Sequence, residues 1–298
     1  MNTEHHNSAA PTSEVEITGF HDSETGTVSY IVVDPSTKRA AIIDPVLNYD
    51  PISGRTSTTS ADQLLEVVRS RGLSVEWILE THVHADHITA AAYLRPLTGA
   101  KVAIGAEVTI VQKTFGLLFN TLPSVKPQGG DFDQSFRDGD TFSIGKLTGR
   151  VMHTPGHTPA CVAYLIGDAV FVGDCIFMPD YGTARCDFPG GDAATLFRSV
   201  QKILALPDST RIFVGHDYGP GGRPIAWETS VKAEKESNIH VGGGTPLEKF
   251  VEMRTARDKT LSLPNLILPS VQVNIRAGRL PEPEANGTAY LKMPLNAV

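Results

Sequence analysis

Long apolar runs are missing from this chain, and so is any run of basic residues. No window approaches the roughly 20 consecutive apolar residues a membrane-spanning helix needs, so no membrane partner is expected. Lysine and arginine total 26 against 33 acidic residues, a net charge of −7, which argues against nucleic acid as a partner. Cysteine is scarce: Cys161, Cys175 and Cys186 are too few and too scattered for a disulfide framework and favour a reducing compartment. The opening stretch "MNTEHHNSAAPTSEVE" has no apolar core, which excludes a signal peptide or anchor and makes the cytoplasm the expected address. His5 and His6 in it read as part of a disordered polar terminus, residues 1–14, rather than a metal pair.

What is present is an ordinary globular composition, 41% hydrophobic and 20% charged over 298 residues, enough for one large α/β domain with a tail. "VSYIVVD" (28–34) and "AAIIDP" (40–45) are β-rich runs joined by a turn. Ser60 and Gln63 have capping-box spacing ahead of a helix that carries Leu64, Leu65, Val67 and Val68 on one face and ends near Gly72. "VEWILE" (75–80) is then a buried strand, and residues 88–94 read as a helix that Pro96 and Gly99 break. "KVAIG" returns as a strand, and 107–136 mixes a helix with a Pro/Gly-bearing loop. A hairpin through "TFSIGKLTGRVMH", two strands about Gly167-Asp168 and a helix capped by Asp192 follow, then the strand in "TRIFVGHD". The tail after 241 carries one short helix, "LEKFVEMRTARDK", and then Pro-punctuated coil.

One event recurs along the chain: an apolar strand stops and His or Asp follows at once. It happens at Glu80/His82, near Met152/His157, at Val172/Asp174 and at Val214/His216. Such strand ends can meet on one edge of a sheet, where loops on a rigid scaffold carry chemistry. The densest case is "THVHADH", with His82, His84, Asp86 and His87 inside six residues. Neutral imidazoles and carboxylates are the ligands that Zn²⁺ and Fe²⁺ accept, and alternate residues of an extended loop face the same way. Burying so many polar rings without an ion would be costly.

"THVHADH", "TPGHTPACVAYL", "FVGDCIF" and "VGHDY", in that order, resemble the metallo-β-lactamase superfamily across about residues 17–238. The resemblance implies an αβ/βα four-layer sandwich, two mixed β-sheets flanked by helices, with a metal site at one edge. One ion site would draw on His82, His84 and His157 and a second on Asp86, His87 and His216, with Asp174 between them. Within that superfamily, "ETHVHADHITAAAYLR", "TARCDFPGGDAATLFRSVQKILALP", "HDYG" and the tail "FVEMRTARDKTLSLPNLILPSVQVNIRAG" look like the persulfide (sulfur) dioxygenases. That likeness implies one Fe(II) per chain, held by His82, His157 and Asp174, with zinc as a possible substitute. His84, Asp86, His87 and His216 would then orient the ligands or hold a second ion. It further implies residues 15–240 as the catalytic domain, 241–298 as an extension packed on it, and a homodimer. The segment around 111–134 is longer than in the family's mitochondrial members.

The expected reaction is oxidation of glutathione persulfide by O₂ and water to sulfite and glutathione. Arg185, Arg223 and Arg254 are candidates for the carboxylates of glutathione, and Tyr218 for a catalytic or substrate-binding hydroxyl beside the metal. Cys175 and Cys161 read as buried small residues rather than nucleophiles. The alternative reading is a glyoxalase II-like dinuclear hydrolase of glutathione thioesters, in which a metal-bound hydroxide attacks a carbonyl.

Overall fold

The computed structural model describes residues 15–297; the polar terminus 1–14, with His5 and His6, lies outside the described residues. Strands β1 (Glu16–His21), β2 (Val28–Asp34) and β3 (Arg39–Ile43) form an antiparallel meander. β2 is buried along its whole length because both its faces are covered. A hairpin of β4 (Val46–Asp50) and β5 (Arg55–Ser57) leads into α1 (Thr59–Ser70). Then come β6 (Ser74–Leu79), β7 (Ile88–Thr89), α2 (Ala91–Thr98), β8 (Lys101–Gly105), α3 (Val108–Leu118) and β9 (Gln134–Phe136). The second half supplies β10 (Thr141–Ile144), β11 (Leu147–His153), β12 (Val162–Ile166), β13 (Ala169–Phe171), α4 (Ala193–Leu204), β14 (Arg211–Phe213) and β15 (Glu228–Ser230). Helices α5 (Val231–Ser237), α6 (Leu247–Asp258) and α7 (Ile267–Asn274) close the chain.

Two six-stranded sheets result among the described residues, ordered β1-β2-β3-β6-β8-β9 and β10-β11-β12-β13-β14-β15. Both are mixed: β3, β6, β8 and β9 run parallel in the first, and β13 pairs parallel with β14 in the second. Apolar side chains from the inner faces, including Tyr30, Ile43, Phe142, Tyr164, Phe171 and Phe213, make the core between the sheets. A second core lies between the first sheet and α1, α2, α3 and α7, and a third between the second sheet and α4 to α6. The order helix, sheet, sheet, helix is the expected four-layer sandwich. No helix among the described residues is long and apolar enough to cross a membrane.

Helix α4 shows how local sequence places the site. Leu196, Val200, Ile203 and Leu204 fall on one buried face, and the Asp192 carboxylate accepts the Thr195 N–H at 2.7 Å as its N-cap. Its start presses on Gly156, where φ is +137° and an added Cβ would lie 2.3 Å from the Leu196 Cα. Only glycine fits there, and the loop carrying His157 is thereby laid against the helix.

Three sequence expectations are corrected. The capping box on α1 does not form: Thr58 is the N-cap, without a side-chain cap bond, and Ser60 lies inside the helix. The Ser60 hydroxyl donates to Asp22 at 2.8 Å, so tertiary contact takes the group that would have capped. Residues 88 and 89 are a short strand on β4 rather than the start of a helix, and α2 runs through Pro96 to Thr98 before Gly99 ends it. Proline removes one backbone bond there, and burial of Ala91 and Leu94 holds the helix regardless. The tail is not all coil, because α7 forms with Pro269 in its first turn, where no intrahelical N–H is required.

Candidate metal centre

The strand ends singled out in the sequence converge. His82, His84, Asp86 and His87 follow β6, His157 follows β11, Asp174 follows β13 and His216 follows β14. All four histidine rings from His82 to His157 pack together: His82 lies 4.1 Å from His84 and 5.1 Å from His157 between ring centroids, and His84 lies 4.2 Å from His87. Ligand atoms of His82, His157 and Asp174 come within 4.8 Å of one another, and so do those of His84, Asp86 and His87. Asp174 stands between the groups. Its Oδ2 is 3.9 Å from His82 Nε2 and 3.7 Å from His157 Nε2, while its Oδ1 is 3.3 Å from His216 Nε2. Asp86 Oδ2 lies 3.4 Å from His216 Nε2 and 3.2 Å from His87 Nδ1.

The far sides of the His82, His84, His87 and His157 rings are held by the protein. His157 Nδ1 donates to the Arg185 carbonyl at 2.8 Å, which turns Nε2 toward Asp174. His84 Nε2 lies 3.0 Å from Asp44 Oδ1 and 3.1 Å from Glu80 Oε2, which leaves Nδ1 facing the cluster. His82 Nδ1 is 3.0 Å from the Thr81 hydroxyl, itself bonded to Asp44 Oδ2 at 2.7 Å. His87 Nδ1 is 3.2 Å from the Thr27 hydroxyl. After these bonds, His82 Nε2, His84 Nδ1, His87 Nε2, His216 Nδ1 and Asp174 Oδ1 remain buried without a hydrogen-bond partner. Orphaned buried polar atoms each cost about 1–3 kcal/mol, and His82 Nε2, His84 Nδ1, His87 Nε2 and Asp174 Oδ1, with His216 turning its Nε2 toward Asp86 and Asp174, match the donor set of a borderline divalent metal. The residues fit such an ion.

Electrostatics differ from ring to ring: burial would lower His84 and His216, yet Asp44 and Glu80 hold His84 well above the ordinary histidine range, and Asp174 and Asp86 raise His216. Burial, aided by His84 and His157, holds His82 well below the ordinary histidine range. Burial would raise Asp44, yet His84 and the Thr81 donors outweigh it and hold its carboxyl low. Burial pushes the Cys161 thiol up to about 12 and raises Cys175 well above the ordinary thiol range too, so neither is poised as a nucleophile.

A cavity of about 670 Å³ opens over the cluster, lined on its floor by Asp86, His87, His157, Asp174 and His216. That volume is within the range of small-molecule sites. Tyr218 lines it, 49% exposed, with its ring parallel to His216 at 5.8 Å. Arg185 lines it too, but its guanidinium makes paired bonds to Asp187 at 2.6 Å and a third to the Ser262 carbonyl. Arg254 is buried in the wall, bonded to Asp258 and to the Thr183 carbonyl. Arg223 does not line the cavity; it joins Asp180 to Asp217 through bidentate contacts on both sides.

Several site residues escaped the sequence reading. Asp44 obeys the same rule as the others, a carboxylate directly after an apolar strand, and that signal was available at Ile43/Asp44. Tyr181, His240 and Arg257 line the cavity from the second half and the tail. Arg257 is exposed and has no acidic partner among the described residues.

Fold and site define the class: the metallo-beta-lactamase superfamily model matches residues 23–216, and the chain belongs to that superfamily. It is an enzyme of that class, with a group of residues able to bind metal. The chain is 54% identical to a probable metallo-hydrolase of Burkholderia pseudomallei, over 95% of this chain and 99% of the relative. It is 49% identical to glyoxylase B2 of Dictyostelium discoideum, over 95% of this chain and 98% of the relative. Against the human mitochondrial persulfide dioxygenase ETHE1 the identity is 30%, over 85% and 84%. The crystal structure of ETHE1 from Myxococcus xanthus superposes with a TM-score of 0.71 and 31% identity, over 89% of this chain and all of that one. Beta-lactamase hydrolase-like relatives from Xylella and Agrobacterium are longer, and the chain spans 65% of their length.

Proposed function

We propose that the protein is a glutathione-dependent persulfide dioxygenase, working at one Fe(II) held by His82, His157 and Asp174. The carrying observation is that two imidazoles and one carboxylate, with ligand atoms within 4.8 Å of one another, sit under an open cavity. A facial set of this kind leaves adjoining coordination positions free for substrate and O₂. The likeness to two ETHE1 proteins supports the choice. When bound, the iron supplies electron transfer between the persulfide sulfur and O₂.

The chain's own part is to hold and to select. Arg185 fixes the His157 ring through its carbonyl, and Arg185 and Arg254, already paired, shape the cavity wall. Arg257, which has no acidic partner among the described residues, is the cation for a substrate carboxylate. Tyr218 and Tyr181, 5.0 Å apart between rings, form the apolar side along which a tripeptide thiol lies. The balanced reaction is GSS⁻ + O₂ + H₂O → GSH + SO₃²⁻ + H⁺.

A second reading rests on a specific observation. One ion at His82, His157 and Asp174 would leave His84 Nδ1 and His87 Nε2 without a partner, and His216 Nε2 facing Asp86, to water or to another ion. A second ion there would make the dinuclear centre of a thioester hydrolase, the reading that fits the name of the Dictyostelium relative. Anaerobic purification, metal quantification and O₂ uptake on adding glutathione persulfide separate the two. The first reading expects about one iron per chain and sulfite formed with O₂ consumed. Two metals per chain and hydrolysis of S-lactoylglutathione without O₂ uptake would replace it with the second.

A further inference from the structure

We propose that Asn274, at the end of α7, is a positioning residue for the metal centre. Its carboxamide holds the loop bearing His84, Asp86 and His87, so the C-terminal extension sets ligand geometry from behind. The inference rests on the cluster being a metal centre, and it is independent of which reaction the centre runs.

Asn274 is nearly 190 residues from that loop in sequence, yet it is buried against it. Its Nδ2 donates to the His84 carbonyl at 2.9 Å and to the His87 carbonyl at 2.8 Å, and its Oδ1 accepts the Thr89 N–H at 2.9 Å. The two donors of the amide are thereby used up. Neither histidine carbonyl has another donor among the described residues. A single planar group that ties the carbonyls of residues 84 and 87 fixes the turn between them, and with it the directions of His84, Asp86 and His87.

A second path reaches the same ring. The Thr89 hydroxyl donates to Glu80 Oε1, and Glu80 Oε2 faces His84 Nε2 at 3.1 Å. Asn274, Thr89, Glu80 and His84 therefore form one continuous polar chain inside the protein, where such networks hold geometry tightly. The tail backbone is shaped for this approach. Ala277 sits at φ +54°, a left-handed conformation uncommon outside glycine, and at Gly278 an added Cβ would lie 2.9 Å from the Thr89 carbonyl oxygen. Gln112 donates to the Ile275 carbonyl at 2.8 Å and secures the end of α7.

The test uses the full chain as apoprotein, with Asn274→Asp, Asn274→Ala and a control, Gln272→Ala. Gln272 lies on the same helix but bonds to the Lys292 backbone and not to the histidine loop. Affinity for Co(II) and Fe(II) is measured by chelator competition, together with the visible spectrum of the Co(II) form. Both Asn274 variants should bind each metal about 10- to 100-fold more weakly and shift the cobalt bands, the scale expected for groups that orient ligands. The Gln272 variant should match wild type in both. Wild-type affinity and bands in the Asn274 variants overturn the proposal, whatever their stability. If neither variant folds, Asn274→Ser, whose single hydroxyl donor cannot tie both carbonyls, is held to the same criteria. A wild-type protein that binds no metal would refute the metal centre itself, a distinct result.

Discussion

Arg257 differs from the other arginines around the cavity in what its guanidinium is doing. Arg185, Arg223 and Arg254 each spend theirs on a neighbouring carboxylate, whereas Arg257 has none among the described residues. Sequence alone made the first three the candidates, because arginine near a motif is visible and its partner usually is not. Arg254 is the exception: Asp258 four residues on in a predicted helix announces an internal pair. The histidines were legible for the opposite reason, since burying four such polar side chains within six residues is costly unless an ion takes them. We expect Arg257→Met to raise KM for glutathione persulfide by about tenfold, the low end for a lost charged contact at an exposed position. Metal content and kcat should hold. An unchanged KM removes Arg257 from the substrate's path, and a loss of metal would show that it acts on the fold instead.

At the scale of elements, the strand ends carried most of the information. β6, β11, β13 and β14 were readable as apolar runs, and each was followed at once by His or Asp. What could not be read was the packing that overrides local preference. Ser60 looked like a cap and was taken by Asp22, residues 88–89 looked helical and paired with β4, and Pro269 looked like coil and began a helix. Each outcome depends on a partner distant in sequence, which periodicity does not encode. The join between α4 and the His157 loop is another such case. Gly156→Ala would drive a methyl into Leu196 and strain a left-handed φ, so it should cost at least about 2 kcal/mol. Because the same loop aims His157, metal affinity should fall in the folded fraction as well. A variant with wild-type unfolding midpoint and metal content would show that this contact can relax.

The whole molecule divides its stability between cores and centre. Apolar side chains fill the space between the sheets and beneath both helical layers, three cores that stand without the metal-site residues. Folding therefore does not hang on the ion as it does in small zinc domains. The partnerless ligand atoms of His82, His84, His87 and Asp174 still penalise the chain without an ion. An ion that binds only the folded chain stabilises it by RT ln(1 + [M]/Kd), about 2.7 kcal/mol at a hundredfold excess over Kd. For a domain of this size that corresponds to roughly 5–10 °C in Tm. Chelation should thus lower Tm by that order while leaving the sheets folded. Hydrogen exchange should quicken in the ligand loops at 81–90, 154–160, 172–176 and 215–218, while β2, β3 and β12 keep their protection. Global unfolding on chelation would mean that the ion staples the fold. A Tm that does not move would mean that the buried rings have found another way to satisfy their nitrogens.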